Sequence, residues 1–181
     1  MGHPLLRMRS EKVDDPASNE VKRLVSNMIS TLNHAKGAGL AAPQVGVLKR
    51  VVIFRVPKER IKEERNSNIV DLTVLVNPKI KILTKKKEMG WEGCLSVPGL
   101  RGIVSRFYSV RYSGYTTDGK KIIREARGFH ARVVQHECDH LDGVLYPMRM
   151  KDMSSLSFTD QLDPEASDLV QARLDTAGSI R

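Results

Sequence analysis

The sequence predicts an α+β fold, because two helical patterns flank a series of short strand patterns. From Glu20 to Ala35 and again from Gly128 to Asp142, apolar residues recur at the spacing of an amphipathic helix. Several β-branched runs lie between these segments, and Asp118-Gly119 is a strong signal for a hairpin.

The boundaries of these elements follow from local signals. We expect Asn19 to cap the first helix and Gly37 to end it, while Gly143 is placed to end the second. The segment VVIFRV, residues 51–56, predicts a buried strand closed by Pro57. Further strands are predicted at residues 73–76, 79–84, 100–104, 107–115 and 120–126.

Length and composition favour a single domain. The chain has 181 residues without internal repeats or a glycine- or proline-rich linker. No apolar run approaches the roughly 18 residues that a membrane span requires, and the first residues lack the apolar core of a signal peptide. Two cysteines are too few for a secreted disulfide framework. We therefore expect a soluble intracellular protein without a membrane partner.

Charge is distributed unevenly along the chain. The net charge is +9, but residues 152–181 carry −4, which leaves +13 on residues 1–151. Such a body attracts polyanions without specifying one, so RNA, the ribosome or no such partner all remain open. The charged segment 58–70 is predicted to be a solvated loop or a short helix.

The segment QHECDH, residues 135–140, has the pattern of a metal-binding helix. Four residues separate His136 from His140, so both imidazoles lie on one helical face and can reach a single cation. In this HExxH pattern, Glu137 moves protons rather than binding the metal. The alternative is that both histidines are only polar positions on an amphipathic helix. Nearby, Asp139 and Asp142 are candidates for hydrogen bonds to the imidazoles.

The third ligand has to come from elsewhere in the chain. Cys138 lies about 200° around the helix from His136, which predicts a small buried core residue. Cys94, in the predicted loop EMGWEGCLSVPGL, can offer a thiolate to a metal, although an ordinary buried thiol is the alternative. Upstream, GAGLAAPQ at residues 37–44 allows close backbone approach and ends in the polar Gln44; a simple turn after the helix is the alternative.

Together, GAGLAAPQ, EGCLS and QHECDH occur in the order of the three signature motifs of peptide deformylases, which this chain resembles from residue 3 to about residue 150. The resemblance implies a catalytic domain at residues 1–150 and a variable, acidic C-terminal segment at residues 151–181. It also implies the fold arrangement, in which antiparallel β-sheets wrap around a central helix that carries the HExxH motif. The implied activity is removal of the formyl group from N-formylmethionine of nascent polypeptides, with release of formate.

The resemblance assigns roles within the site. Cys94, His136 and His140 would hold a divalent metal and leave its fourth position to water, while Glu137 would act as the general acid and base. The Leu95 backbone N–H and the Gln44 side-chain amide match the family's oxyanion donors. By ligand type alone the site suits zinc. The family implies Fe²⁺ in the cell, which Zn²⁺, Ni²⁺ or Co²⁺ can replace.

Substrate recognition is also implied by the family. The peptide is expected to run as an extended strand along the backbone near three residues: Ala38, Gly39 and Gly93. Phe129 and Val133 lie on the helix face expected to line an apolar pocket for methionine, and Arg132 shares that face where well-known bacterial members carry an apolar residue. Glu92 and Arg106 match positions that pair in the family; two unrelated surface charges are the alternative.

The implied partners are N-formylmethionyl nascent peptides, with the ribosome near its exit tunnel as a candidate and the bacterial cytoplasm as the expected location. If the protein docks on ribosomes, we expect its basic body to make the contact, with Lys85, Lys86 and Lys87 as the test positions. Two rival hypotheses remain. One is an HExxH metallopeptidase that cleaves internal amide bonds, and the other is a basic RNA-binding protein that keeps the fold without its chemistry.

Overall fold

The structure of the protein, a computed structural model, describes residues 1–58 and 69–162. This part of the chain contains the helices α1 (Asn19–His34) and α2 (Gly128–Leu141). Its strands are β1 (Gly39–Ala41), β2 (Val51–Val56), β3 (Val70–Ile82), β4 (Lys87–Cys94), β5 (Val97–Phe107), β6 (Ser109–Tyr115), β7 (Lys121–Arg127) and β8 (Ser157–Phe158). Short 3-10 turns lie at Pro4–Arg7, Ala42–Val45, Tyr146–Arg149, Met153–Ser155 and Thr159–Gln161.

The strands form two antiparallel sheets. One has the order β1-β2-β3-β6-β7, and the other has the order β4-β5-β8. Helix α2 packs against strands of both sheets, and its contacts include β1, β2, β5, β6 and β7. The predicted α+β class, with antiparallel sheets around the helix that carries the HExxH motif, is confirmed.

Helix α2 is buried on every face. Apolar side chains such as Ala131, Val134 and Leu141 pack into the main core, which includes Phe54 and Tyr112 from the large sheet. The same helix also buries polar side chains, among them its histidines and Glu137. Buried polar groups require hydrogen-bond partners. Three of these side chains, those of Arg132, Gln135 and His136, bond to groups of the surrounding strands.

Helix α1 covers the other face of the large sheet. Its side chains Met28 and Leu32 are completely buried against Leu40, Val51 and Ile53. This amphipathic packing confirms the predicted helix, but both predicted ends are shifted. The cap is the hydroxyl of residue 18, which accepts a hydrogen bond from the backbone of residue 21 at 3.3 Å.

Both shifts at α1 have local causes. Ser18 keeps an extended backbone and caps the helix, so Asn19 becomes its first residue rather than its cap. At the other end, Lys36 takes the left-handed conformation, with φ of 51°, in place of Gly37. The Gly37 N–H then donates to the Leu32 carbonyl at 3.2 Å and closes the last turn.

Several strand predictions are confirmed and others are corrected. The segment 51–56 forms β2 with the predicted bounds. The segments 73–76 and 79–84 are one strand, β3, interrupted by a register shift at Asn77-Pro78, where Asn77 has φ of 53°. The predicted strands 100–104, 107–115 and 120–126 correspond to β5, β6 and β7. Gly119 takes φ of 74° in the predicted hairpin between the last two.

The predicted loop at residues 88–100 is wrong, because most of it forms β4 and the start of β5. Gly90 and Gly93 interrupt the side-chain alternation that would have indicated a strand, and pairing with β5 along its whole length creates β4. Strands β1 and β8, only three and two residues long, also had no sequence signal.

Parts of two predicted segments lie outside the described residues: most of the charged segment 58–70, and residues 163–181 of the acidic segment 151–181. The division into a domain at residues 1–150 and a C-terminal segment stays a prediction. Within residues 1–58 and 69–162, none of the helices has the length and apolar character needed to cross a membrane.

The C-terminal end of α2 packs against the start of the chain. The Ser10 N–H donates to the Leu141 carbonyl at 2.8 Å. Gly143 ends the helix as predicted, with φ of 74°. A Cβ at this position would lie 2.6 Å from the carbonyl carbon of Arg7, which is backbone and has no freedom to rotate away. Gly143 therefore meets a conformational and a steric requirement at once.

We predict that Gly143→Ala lowers the free energy of unfolding by about 3 kcal/mol, from the left-handed backbone and the clash together. Gly119→Ala is a matched control, because it has the same φ but its nearest neighbour to a Cβ is 4.0 Å away. The free energy of unfolding of the control should fall by only about 1 kcal/mol. Urea denaturation of both variants measures the difference, and equal losses would contradict the packing of residue 7 on the helix end.

Candidate metal centre

Three predicted ligands converge from two elements. Cys94 ends β4, while His136 and His140 lie one turn apart on α2. The register of β4 against β5 shifts between Gly93 and Cys94, and such an irregularity redirects the side chain that follows it. The ligand atoms of the three residues lie within 4.8 Å of one another. The structure thus brings together side chains that are 42 to 46 residues apart in sequence.

The donor set fits a divalent transition metal. The distance from Cys94 Sγ to His140 Nε2 is 3.3 Å, close to the roughly 3.5 Å between sulfur and nitrogen ligands of one tetrahedral ion. His136 bonds to Glu92 through Nδ1, which leaves its Nε2 for a metal. Burial is the main reason why the pKa of His140 falls to about 3, so His140 is neutral as a ligand must be.

Glu137 lies beside this centre and is buried, with an exposed fraction of 4%. Burial is the main reason why the pKa of this side chain rises to about 7. Within the described part of the chain its Oε2 has no hydrogen-bond partner. Strand β1 passes directly over the carboxylate: a Cβ on Gly39 would lie 2.5 Å from Glu137 Cδ. Only glycine leaves room for the carboxylate at this position.

Gln44 is fixed with its amide nitrogen towards the thiol. Its Oε1 accepts a hydrogen bond from the Ala41 N–H at 2.8 Å, so Nε2 is directed the other way. Nε2 lies 3.1 Å from Ser96 Oγ and 3.5 Å from Cys94 Sγ. The Ser96 N–H also donates to the thiol sulfur at 3.4 Å. Ser96 was not predicted as a site residue, although its place in EGCLS was a signal.

Leu95, the other predicted donor, lies in the turn between β4 and β5 directly after the thiol, and its side chain is largely exposed. Its role and that of Gln44 stay predictions. Cys138 is buried in the main core, as predicted, and burial raises the pKa of its thiol far above the usual range. It takes no part in the centre.

The hydrogen-bond partner of His136 is Glu92, and the expectation that Asp139 or Asp142 would bind the imidazoles is wrong. Glu92 Oε2 lies 2.8 Å from His136 Nδ1. Asp139 instead accepts from Arg106 at 2.6 Å and lies on the far side of that network. Asp142 lies past the end of α2 and binds Arg50 at 2.8 Å.

Glu92 and Arg106 form a buried, bidentate pair. Arg106 Nε donates to Glu92 Oε1 at 2.9 Å, and Arg106 Nη2 donates to Glu92 Oε2 at 3.0 Å. Burial alone would raise the pKa of Glu92, but hydrogen bonds from His136 and Arg106 outweigh it and hold the pKa well below its usual range. The pairing of these two positions is confirmed, and the alternative of unrelated surface charges is wrong.

Two of the three residues predicted to bind the substrate backbone lie on the outer strands of the two sheets, and Ala38 directly precedes one of these strands. Gly39 belongs to β1 and Gly93 to β4, and in the described residues each of these strands pairs with a neighbour on one side only. The Ala38 carbonyl accepts from the Arg55 N–H at 2.8 Å and so faces β2. An outer strand of this kind has an edge that can pair with an extended chain.

The residues predicted to line the methionine pocket belong to the main core. Val133 is buried there and Phe129 packs against it. Their contact with a methionine side chain stays a prediction. Arg132, which was predicted to share the helix face of Phe129 and Val133, is buried, and its guanidinium reaches the carbonyls of Glu88, Gly90 and Val104.

Comparison with known proteins identifies relatives of this chain. The family model for polypeptide deformylase matches residues 1–155. Peptide deformylase 1 of Bordetella pertussis is 51% identical over 168 residues, which cover 91% of this chain and 93% of that protein. Peptide deformylase 1 of Nitrosomonas europaea is 48% identical over 164 residues, covering 91% and 92% of the two chains.

Solved structures give the same result. A Met-Ala-Ser-bound class I type b peptide deformylase from Acinetobacter baumannii is similar with a TM-score of 0.76 and 36% identity, over 83% of this chain and 94% of that one. A peptide deformylase from Ehrlichia chaffeensis has a TM-score of 0.75 at 29% identity, over 99% and 94% of the two chains. The four relatives cover between 83% and 99% of this chain.

We predict that the protein binds one Co²⁺ and develops thiolate-to-cobalt charge-transfer absorption, because the donor set includes a thiolate. Cys94→Ala should abolish this absorption. Cys138→Ala is the matched control and should retain it, because that thiol is buried elsewhere. Absorption titration with Co²⁺ makes the comparison, and an unchanged band in Cys94→Ala would exclude the thiol as a ligand.

Proposed function

The chain belongs to the polypeptide deformylase family and is a metal-dependent hydrolase that removes the N-formyl group from nascent polypeptides; from this premise, we propose how its residues carry out the reaction. The observation that carries the proposal is the convergence of Cys94, His136 and His140 beside the buried Glu137. A protein that had kept the fold without its chemistry would not need to retain all four.

In this proposal, Cys94, His136 and His140 hold the metal and Glu92 orients His136. When bound, the divalent metal supplies Lewis acidity, which acidifies the attacking water and polarises the formyl carbonyl. We assign Fe²⁺ as the metal in the cell, with Zn²⁺, Ni²⁺ or Co²⁺ able to replace it. A thiolate beside a redox-active metal makes the centre sensitive to oxygen.

Glu137 moves the proton. Its Oε2 has no competing hydrogen bond in the described residues and accepts a proton from the attacking water. The same carboxyl then delivers this proton to the amine nitrogen that leaves when the bond to the formyl carbon breaks. Because Gly39 has no side chain, it leaves room for the carboxylate at this position beside the centre.

Gln44 and Leu95 stabilise the negative charge that develops on the formyl oxygen. The bond from the Ala41 N–H to Gln44 Oε1 keeps the amide nitrogen directed into the site before the substrate arrives. The backbone N–H of Leu95 follows the thiol ligand directly and supplies the second donor. Donors fixed in advance stabilise the transition state without reorganisation, and each typically contributes on the order of 10²-fold to turnover.

The peptide binds in extended form between the two outer strands. Its main chain pairs with backbone groups near Ala38, Gly39 and Gly93, since both strands have an open side near the centre. The Ala38 carbonyl itself is bonded to the Arg55 N–H. Phe129 and Val133 contribute to the apolar pocket for the formylated methionine. The A. baumannii relative is described with Met-Ala-Ser bound, and formyl-Met-Ala-Ser is therefore the substrate of choice for the tests.

We predict that Glu137→Gln lowers formate release from formyl-Met-Ala-Ser by at least about 10²-fold, because the variant keeps the size of the side chain and removes its base. Removing the metal with a chelator should abolish activity, and Co²⁺ should restore it in the wild type. Glu125→Gln, in an exposed ion pair with Arg111, is the matched control and should retain full activity.

The same assay tests the rival peptidase hypothesis. Formate release should require the formyl group, and unformylated Met-Ala-Ser should remain uncleaved. Near wild-type turnover in Glu137→Gln, or full activity after chelation, would overturn the proposed mechanism. Cleavage of the internal bonds of the unformylated peptide would favour the metallopeptidase.

The proposed setting is the bacterial cytoplasm, with the ribosome as a partner. Lys85, Lys86 and Lys87 are exposed at the start of β4. The Lys86 ammonium lies 4.6 Å from the centre of the Tyr108 ring, and the Lys87 ammonium lies 4.5 Å from that of Phe107. These cation–π contacts keep the charges in a defined position, which suits a phosphate-bearing surface.

We predict that reversing Lys85, Lys86 and Lys87 to Glu abolishes cosedimentation with ribosomes, because repulsion then replaces attraction to RNA phosphates. The matched control reverses three other exposed lysines: Lys79, Lys81 and Lys120. The control should retain binding at physiological salt. Cosedimentation that persists in the first variant, or an equal loss in both, would exclude this cluster as a specific docking surface.

A further inference from the structure

The geometry of the metal centre depends on how the β4–β5 hairpin sits on α2. The thiol ligand belongs to the hairpin, whereas both imidazoles belong to the helix. A shift of one relative to the other would move the sulfur away from His140 Nε2, which now lies at 3.3 Å. The side chains that join hairpin and helix therefore control the ligand set.

Arg132, on α2, connects the helix to the hairpin. Its guanidinium is buried and donates three hydrogen bonds to the backbone of both strands: to Gly90 O at 3.2 Å, to Val104 O at 2.8 Å and to Glu88 O at 2.8 Å. These carbonyls come from β4 and from β5. A planar guanidinium, with its five donors in a fixed fork, can bind several acceptors in one orientation only.

Gly90 provides the space for this guanidinium. A Cβ at position 90 would lie 2.8 Å from Arg132 Cζ and 2.7 Å from Arg132 Nη2. The φ of Gly90 is not positive, so the requirement for glycine is steric rather than conformational. Position 90 and position 132 are thus coupled: the arginine occupies the volume that a side chain on β4 would otherwise fill.

Arg132 also reaches the residue that orients the imidazole. Its Nη1 donates to Glu92 Oε1 at 2.9 Å, on the same carboxylate that Arg106 binds. The two hydrogens of Nη1 are shared among this oxygen and the carbonyls of Gly90 and Val104. The other oxygen of Glu92 bonds to His136. Arg106 comes from the hairpin and Arg132 from the helix, so the carboxylate is held from both elements at once.

We propose that Arg132 is a positioning residue of the deformylase centre, which docks the thiol-bearing hairpin on the histidine-bearing helix and fixes Glu92 against His136, with Gly90 as its steric complement. The inference rests on the ligand set proposed above. Arg132 acts through Glu92 and the hairpin backbone and does not contact the substrate. Its loss should therefore affect metal binding and turnover more than substrate affinity.

The test compares Arg132→Leu, Arg132→Lys and Gly90→Ala with the wild type. We expect Arg132→Leu to weaken Co²⁺ binding by roughly 10- to 100-fold and to lower kcat by at least about tenfold, the range typical of residues that orient metal ligands. The KM for formyl-Met-Ala-Ser should change by less than about threefold. The Co²⁺ charge-transfer band should shift, because the thiolate moves relative to the imidazoles.

The two other variants separate charge from geometry. Arg132→Lys keeps the positive charge without the fork and should lie between the wild type and Arg132→Leu. Gly90→Ala should displace the guanidinium and resemble Arg132→Leu. The double variant should lose no more Co²⁺ affinity than the single ones, because coupled positions are not additive. Arg111→Leu, in an exposed ion pair, is the control for loss of one positive charge and should match the wild type.

Several outcomes would overturn the inference. One is unchanged Co²⁺ affinity and absorption in Arg132→Leu with only a lower unfolding temperature, which indicates a purely structural clamp. Another is a rise in KM alone, which indicates a substrate pocket. If Arg132→Leu does not fold, wild-type Co²⁺ affinity and kcat in Arg132→Lys overturn it. Failure of the ligand set itself is distinct, because Cys94→Ala would then retain the Co²⁺ band.

Discussion

The carboxylate of Glu92 is the buried charge on which the arrangement of this site depends. It accepts hydrogen bonds from Arg106 and Arg132 and contacts His136, so a strand, its partner strand and the helix all meet at one group. Transferring such an ion out of water costs several kcal/mol, and only a complete set of partners compensates for it. The interaction therefore contributes specificity: strands and helix are satisfied together in one relative orientation.

Other buried polar side chains of the central helix also contact specific groups of the surrounding strands. Gln135 is buried, and its side-chain amide pairs with the backbone of Phe107 as a neighbouring strand would. The amide donates to the Phe107 carbonyl at 2.9 Å and accepts from the Phe107 N–H at 3.2 Å. His130, on another face, packs edge-on against Tyr112 at 5.5 Å, and burial lowers its pKa to about 4. Such contacts between the helix and specific groups of the strands fix the position of the helix relative to the sheets. A helix with only apolar side chains would lack this constraint.

The sequence predicted the helix and its metal-binding face because both depend on local periodicity. His136 and His140 share a face in any α-helix, whatever surrounds it. Strand β4 had no such signal, since its glycines interrupt the alternation; at Gly90 the glycine leaves room for a guanidinium from another element. That kind of complementarity between distant positions has no period and cannot be read from spacing.

The same distinction applies to the site. The resemblance supplied Cys94 as the third ligand, and the structure brings it to the histidines. Proximity in sequence favoured Asp139 and Asp142 as partners of the imidazoles, but the carboxylate that binds His136 is 44 residues away. Hydrogen-bond partners across the core are set by the packing of whole elements, and local patterns contain no information about them.

The late position of α2 in the chain has a consequence for biosynthesis. Seven of the eight described strands precede this helix, yet it supplies the surface on which both sheets pack. The sheets emerging from the ribosome therefore lack their main core until residue 128 and those after it have been made. During that interval their apolar faces remain open, which is the state in which nascent chains aggregate or engage chaperones. Folding is completed late, through contacts between residues far apart in sequence, and such topologies fold slowly.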